Sequence, residues 1–335
     1  MNILTKIKEK YNRNIQIYSD ALQKGKIVGY DYTWLLWKNH TKFLLRIRNP
    51  KDKQKVFNRM NQFWESFADV IKKYENEPIY PKDSFEEDDK PTIWIYWNDI
   101  SHIPPMVKSC MTLIRKNSNG CRVVVVSEDK VSDYLDLDSI VWEKYKEGKI
   151  SRTHFSDIVR IALLAKYGGV WMDCTLLLTQ PLPSIVTEAD FYTNKLDIKD
   201  DVNVCAGRWS TFFIACHKNN LMMKAALDVF VEYWKRYDDI ADYVWMDYIF
   251  NMLYNHIQSV KEMIDNVPMN NPNIWILQTM ISKALTQAQF NEIFNDKTRF
   301  MYKLSFKDSI NAPLFDEFGN KTLKGWVCSL NDNQN

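Results

Sequence analysis

The 335-residue chain holds only 9 glycines, and neither a G-x-G-x-x-G run nor a P-loop sequence occurs in it. Dehydrogenase and P-loop NTPase readings lose their signature, since both need glycines where backbone approaches a phosphate. No stretch reaches the roughly 18 uninterrupted apolar residues of a membrane-spanning helix, and the opening MNILTKIKEKYNRN has no apolar run of a secretion signal. A cytoplasmic location is therefore expected. The six cysteines, Cys110, Cys121, Cys174, Cys205, Cys216 and Cys328, include no C-x-x-C pair. They are expected to be small buried thiols rather than zinc ligands or a disulfide framework. Internal repeats are absent too.

What the chain does hold is 46% hydrophobic residues and 12 Trp. That is enough for a sizeable core and suits one catalytic domain with an appendage. Flat amphipathic rings also suit stacking on sugars and bases. The net charge of +2 hides an asymmetry: residues 1–60 carry 14 Lys and Arg against Glu9, Asp20, Asp31 and Asp52, which leaves the remainder acidic. Trp34, Leu35, Leu36, Trp37, Phe43, Leu44 and Leu45 interleave with those cations. Such a segment fits either an anionic membrane surface, where each Lys or Arg contributes roughly 1 kcal/mol, or a solvated helical face. Nucleic acid is disfavoured as a partner, because the acidic remainder repels phosphates.

Residues 1 to about 76 read as helical, ending in a stripe of Phe57, Met60, Phe63, Phe67, Val70 and Ile71. Pro78, Pro81, the acidic run Glu86–Asp89 and Pro91 form a linker-like stretch, which puts a domain boundary near residue 90. Thr92–Trp97 and Arg122–Asp129 read as buried strands around a helix that starts at Pro104–Pro105. A βαβ unit implies a parallel sheet with its site at the strands' carboxyl ends. Ser151–Lys166 reads as a helix stopped by Tyr167-Gly168-Gly169, and VWMDCTLLL as one strand after it. Further on, FYTNK, VCAGRWSTFFIACHK and FMYKLSF read as strands; Asn220–Tyr237, Asp239–Ile257 and Ile274–Ala284 read as helices.

The chemistry concentrates in Ser151–Leu178. Asp157 and Arg160, at i and i+3, share one helix face. Alone they would be a surface ion pair. The Gly-Gly turn reverses the chain, and the next strand delivers Asp173 four residues after Gly169, so helix face and strand end can meet at one cleft.

On the residues Ile93–Trp97, Ser156–Arg160, Tyr167–Thr175 and Tyr302–Ser305, the sequence resembles the bacterial capsular polysaccharide synthesis glycosyltransferases and, more distantly, DXD-motif sugar transferases. The resemblance covers residues 90–307 in outline and is specific in the central stretch. It implies a GT-A (Rossmann-like) mixed α/β sheet flanked by helices, with an N-terminal helical region over 1–90 and the catalytic unit over 91–335. It also implies that Asp157, Arg160, Gly169 and Asp173 bind a nucleotide-sugar donor, UDP-sugar favoured, through Mn²⁺ or Mg²⁺. The second acid of the motif is Thr175 here, a hydroxyl that can ligate a metal but adds no charge, so weaker metal affinity is expected. His217 would join the metal if the Cys216-His217-Lys218 segment folds back over the cleft.

Glycosyl transfer builds positive charge on the sugar ring and negative charge on the departing diphosphate. Arg160, a metal at Asp173, and Lys303 or Lys307 are the candidate cations, with the two lysines placed by the resemblance. Asp247, set in YVWMDYIF, is the candidate acid for stabilising the ring or activating the acceptor hydroxyl. Trp97 and Asn98 lie at the end of the first strand, where bases bind, although a strand tryptophan is as readily core. The expected function is transfer of a hexosyl unit, with retention of configuration, to a growing and lipid-linked capsular or exopolysaccharide repeat. The alternative is a non-catalytic scaffold of a polysaccharide assembly complex that kept the donor fold.

Overall fold

Strand-forming β-branched and aromatic residues set the centre of the protein, for which a computed structural model describes residues 3–47, 50–79, 91–197 and 203–330. The boundary proposed near residue 90 lies in 80–90, outside the described residues. Before that stretch the described residues form α1 (Ile3–Val28), α2 (Tyr30–Leu44), α3 (Pro50–Glu65) and the one-turn α4 (Ala68–Ile71), which runs on into a 3-10 turn at Lys72–Tyr74. Then follow β1 (Ile93–Tyr96), α5 (Pro105–Lys116), β2 (Val123–Val126), the short α6 (Val131–Tyr134), α7 (Ser139–Lys146) and α8 (Arg152–Tyr167). The chain continues through β3 (Gly169–Met172), β4 (Leu176–Leu178), α9 (Ser184–Glu188), β5 (Phe191–Thr193), β6 (Phe213–Cys216), α10 (Leu221–Arg236), α11 (Trp245–His256) and β7 (Met301–Lys303).

The main sheet has the order β2-β1-β3-β6-β5. β1 runs parallel to β2 and β3, whereas β6 runs antiparallel to β3 and β5, so the sheet is mixed and flanked by helices. Pro105 opens α5 with its preset φ. Ser151 caps α8, its hydroxyl accepting from the His154 N–H at 3.3 Å. The helix stops at Gly168, with φ 64, where an added Cβ would lie 2.3 Å from the Lys218 nitrogen. Gly169, φ 94, is pressed as closely on the Thr92 carbonyl oxygen. Only glycine fits such backbone-on-backbone contacts at positive φ.

Four sequence expectations change. VWMDCTLLL is not one strand: the Leu176 N–H turns back to the Asp173 carbonyl (2.9 Å), and β4 leaves the main sheet to pair antiparallel with β7. Apolar residues on both sides of Asp173–Thr175 hide this break, because both halves are buried. In VCAGRWSTFFIACHK only β6 is strand; Ala206 and Gly207 take positive φ and the segment turns. The helix expected from Asp239 begins at Trp245, since the Asp242 carboxylate and the Tyr233 hydroxyl capture the backbone N–H groups of Val244 and Ala241 (3.1 and 2.8 Å). Ile274–Ala284 likewise shrinks to one turn, Ile276–Thr279, with Ala284 drawn into a β-bridge to Thr322.

The N-terminal helices share one buried core with the sheet unit. Trp64 stacks on Tyr233 of α10 with centroids 5.4 Å apart, and Phe63 and Phe67 pack against the same ring. Fully burying rings of this size is worth about 2–3 kcal/mol each. A second cluster joins α5 to β4, β7 and the residues after 277, and Tyr302, Leu177 and Leu323 lie within it.

Candidate functional site

β1 and β3 are parallel with Trp94 beside Trp171, so Trp97, Asn98 and Asp173 all emerge at the same edge of the sheet. α8 contacts both strands and carries Asp157 and Arg160 down to that edge. There the Arg160 guanidinium bridges two carboxylates, with Nη1 3.2 Å from Asp157 Oδ1 and Nη2 3.2 Å from Asp173 Oδ1. The helix face and the strand end therefore converge, as the Gly-Gly reversal implies. Lys303 completes the group from the other sheet, its ammonium 3.0 Å from Asp173 Oδ2.

Tryptophans hold this group in place. The indole N–H of Trp171 donates to Asp173 Oδ1 (3.0 Å), that of Trp245 to Asp157 Oδ2 (3.1 Å), and that of Trp209 to Asp247 Oδ1 (2.8 Å). Arg160 also lies over the Trp171 ring at 4.8 Å, a cation–π contact that fixes the plane of the guanidinium. Asp247 sits in the first turn of α11, not mid-helix, where the helix dipole favours a carboxylate. Its neighbour Met246 brings a sulfur 3.8 Å from Arg160 Nη1, so α11 delivers Asp247 to the same neighbourhood. The sequence reading had Trp245 only as a flank of Asp247 and Trp171 only as part of the motif, and gave Trp209 no role; the Trp171 contact was findable, since positions 171 and 173 fall on one face of a strand.

Electrostatics divide the three acids. Burial works to raise Asp173, but Lys303 and Arg160, with the Trp171 hydrogen bond, hold it below the ordinary carboxylate value. Burial pushes Asp157 up to about 6 over the opposing pull of Arg160. Asp247 is also pushed up to about 6 by burial, against the Trp209 hydrogen bond. One firmly ionised acid beside two poised ones, with two cations among them, is what charge-separating chemistry needs.

Other expected site residues fall elsewhere. Gly169 and His217 are corrected: the register Gly169↔Cys216 and Met172↔Phe213 puts both at the start of β3, roughly 13 Å from Asp173 at ~3.3 Å per residue. His217 instead faces Asp190 at 3.6 Å. Lys307 is exposed on the one-turn helix Phe306–Ser309 and is not part of the ion-paired group. Trp97 is half-buried, its N–H on the His102 carbonyl (3.3 Å) and its ring edge against Phe306.

A divalent ion does not fit the residues present. Both oxygens of Asp173 already meet cations, and the Lys303 ammonium donates to Thr175 Oγ1 at 2.5 Å. A dication held by Asp173 and Thr175 would sit about 4 Å from that ammonium, a repulsion on the order of 8 kcal/mol at an effective dielectric of about 20. Among the described residues, no group of three or more His, Cys, Asp or Glu is placed to hold a metal.

A hollow of about 930 Å³ opens beside the end of β2. Its lining carries Glu128, Asp129, Asp133, Asp136 and Glu143 against Lys146 and Lys166, a balance that repels a diphosphate. The Arg160–Lys303 group reaches solvent instead through Asp173, whose side chain is 26% exposed.

A family model described as capsular polysaccharide synthesis protein matches residues 42–319. A curated relative, "Glycosyltransferase afumC" of Aspergillus fumigatus (strain CBS 144.89 / FGSC A1163 / CEA10), is 27% identical over 113 residues. Those residues make up 31% of this chain and 29% of that protein, so the match spans less than a third of the relative's length. Among solved structures, "PaToxG Glycosyltransferase" aligns with 76% of this chain and 97% of its own at 16% identity; its TM-score of 0.36 carries no argument about the fold. The family match takes in well over half of the chain, and with it β1, α8, Asp173 and Lys303, so the protein belongs to the capsular polysaccharide synthesis protein family.

Proposed function

We propose that the chain is a glycosyltransferase of GT-A type, moving a hexosyl unit from a nucleoside-diphosphate sugar, UDP-sugar favoured, to a growing and lipid-linked glycan repeat with retention of configuration. The catalytic unit is residues 91–335, with 1–90 as a helical appendage. The observation that carries the reading is the Arg160–Asp173–Lys303 group at the carboxyl end of parallel β1 and β3, the edge where open α/β sheets take ligands. Asp157 and Asp173 orient Arg160 and Lys303, and these two cations would stabilise the diphosphate as it departs. Asp247, with its pKa near 6, is ionised at neutral pH and suited to stabilising the ring cation or accepting the acceptor's proton. At the ends of β1 and β2, Tyr96 Oη and Ser127 Oγ are buried with no hydrogen-bond partner among the described residues, which favours a polar ligand there.

A thermal-shift screen with UDP, GDP and ADP, followed by donor-hydrolysis assays on the sugars of the nucleotide that binds, tests this. Stabilisation by one nucleotide and turnover of its sugars are expected. A chain that binds none of them is a scaffold instead.

We also place the appendage on an anionic membrane surface. Among the described residues, no helix is long and apolar enough to cross a membrane. Yet Tyr30, Trp34 and Leu45 follow one side of α2 with the exposed Lys38 between them, and Trp34 is 64% exposed. Exposed aromatic and basic residues on one face suit an interfacial helix. In co-sedimentation, the protein is expected to bind phosphatidylcholine–phosphatidylglycerol vesicles and not pure phosphatidylcholine, and Trp34→Ala with Lys38→Glu to release it. Equal recovery with both vesicle types would remove the idea.

A further inference from the structure

We infer that the cation facing the donor diphosphate is the Lys303 ammonium, built into the fold where related motifs would place a divalent metal, so that the site takes nucleoside diphosphates without one. The inference rests on the donor reading above and specifies how that site works.

The placement is fixed by backbone. Lys303 pairs with Leu176 across the β4–β7 ladder; its own N–H donates to the Ile274 carbonyl (2.8 Å), and the next N–H, of Leu304, donates to the Thr175 carbonyl (3.0 Å). Lys303 is thus locked beside the Asp-x-Thr turn, and its side chain is directed into the turn. The ammonium reaches Asp173 Oδ2 at 3.0 Å and Thr175 Oγ1 at 2.5 Å, the two oxygens that the spacing Asp173-x-Thr175 offers to a metal.

The surroundings are those of a cation site. Nζ lies 5.5 Å from the Phe212 ring centroid and 5.8 Å from that of Trp275, and the two rings meet edge to face at 5.7 Å. Aromatic faces, a carboxylate and a hydroxyl hold the ammonium, and the side chain is only 10% exposed. An ammonium has three N–H donors. Asp173 and Thr175 take two, and the third is left for an incoming phosphate oxygen. Thr175 in place of a second acid then has a reason: the ammonium is already matched by one carboxylate, and a second would add negative charge facing the diphosphate. Arg160, tied to the other oxygen of Asp173, supplies the second cation.

Calorimetric titration of the full chain with UDP and GDP, in excess EDTA and in millimolar MnCl₂, tests the inference. For the nucleotide that binds, affinities within about twofold of each other in the two buffers are expected. Lys303→Met, which keeps the unbranched stem, should weaken binding in EDTA by about tenfold, the loss of one charge-assisted contact. Mn²⁺ should restore part of it in this variant alone, since Asp173 and Thr175 are then open. Lys303→Arg should still bind in EDTA. Wild-type binding that requires Mn²⁺ overturns the inference and leaves the donor reading intact, and this comparison needs no variant to fold. Absence of binding in both buffers overturns the donor reading, and the inference with it.

Discussion

Asp173→Asn is expected to lower donor turnover by about a thousandfold, the scale of removing one preorganised electrostatic group. Asparagine keeps an acceptor for the Trp171 indole but removes the charge on which Arg160 and Lys303 both depend. The two cations would then repel, and neither would hold its place for the diphosphate. Stability should fall as well. Losing one partner of a buried pair costs about 3–5 kcal/mol and of a surface pair under about 1, so a partly exposed Asp173 should cost about 2 kcal/mol. Because the folded-state pKa of Asp173 is held down, its stabilisation is present above the ordinary carboxylate pKa and is lost as pH falls through the folded value. The variant should therefore differ most from wild type at neutral pH and least in acid. Turnover within tenfold of wild type, with normal unfolding, would contradict the role given to Asp173.

Asp247→Asn is expected to separate stability from activity. Folding raises the Asp247 pKa from 3.8 to about 6, so the folded state binds the proton more tightly than the unfolded chain. The group's contribution to stability is thus fully present below pH 3.8 and is lost as pH rises through 6, which leaves a cost on the order of 2–3 kcal/mol at neutral pH. Asparagine has no charge to desolvate and still accepts from Trp209. The variant should melt higher than wild type at pH 7, by a margin that disappears near pH 4, while turnover falls about a hundredfold or more. Wild-type kcat/KM should itself decline below pH 6, where burial places the titration of both Asp247 and Asp157. A variant that melts lower at pH 7, or an activity profile flat from pH 5 to 8, would count against this assignment.

The parts of the fold that follow a local period were legible from sequence. β1, α5, β2 and α8 appear where alternation, helical spacing and capping residues put them, and the Gly168–Gly169 reversal does bring Arg160 onto Asp173. What pattern alone did not reveal is pairing between distant segments. Val170–Met172 and Leu176–Leu178 are equally apolar, so nothing local marks Asp173–Thr175 as the crossing from one sheet to another. The antiparallel direction of β6 carries His217 to the wrong edge, and strand direction has no signature in composition. Lys303 and Lys307 were equivalent until the β4–β7 ladder chose the first. Trp209, inside a stretch read as strand, lies in a turn that brings it to α11.

The aromatic packing beneath α10 ties the beginning of the chain to its chemistry. Phe63, Trp64 and Phe67 press on Tyr233; Tyr233 meets Trp245 edge-on at 5.6 Å; and Trp245 holds Asp157 by its indole N–H. A shift in the α3–α4 elbow would pass through rings that have no room to absorb it and tilt the acid that orients Arg160. Substitutions some hundred residues upstream of Asp157 and Asp173 should therefore disturb the candidate site without altering any of its charged groups, and residues 60–70 belong to that site's foundations as much as to the N-terminal helices.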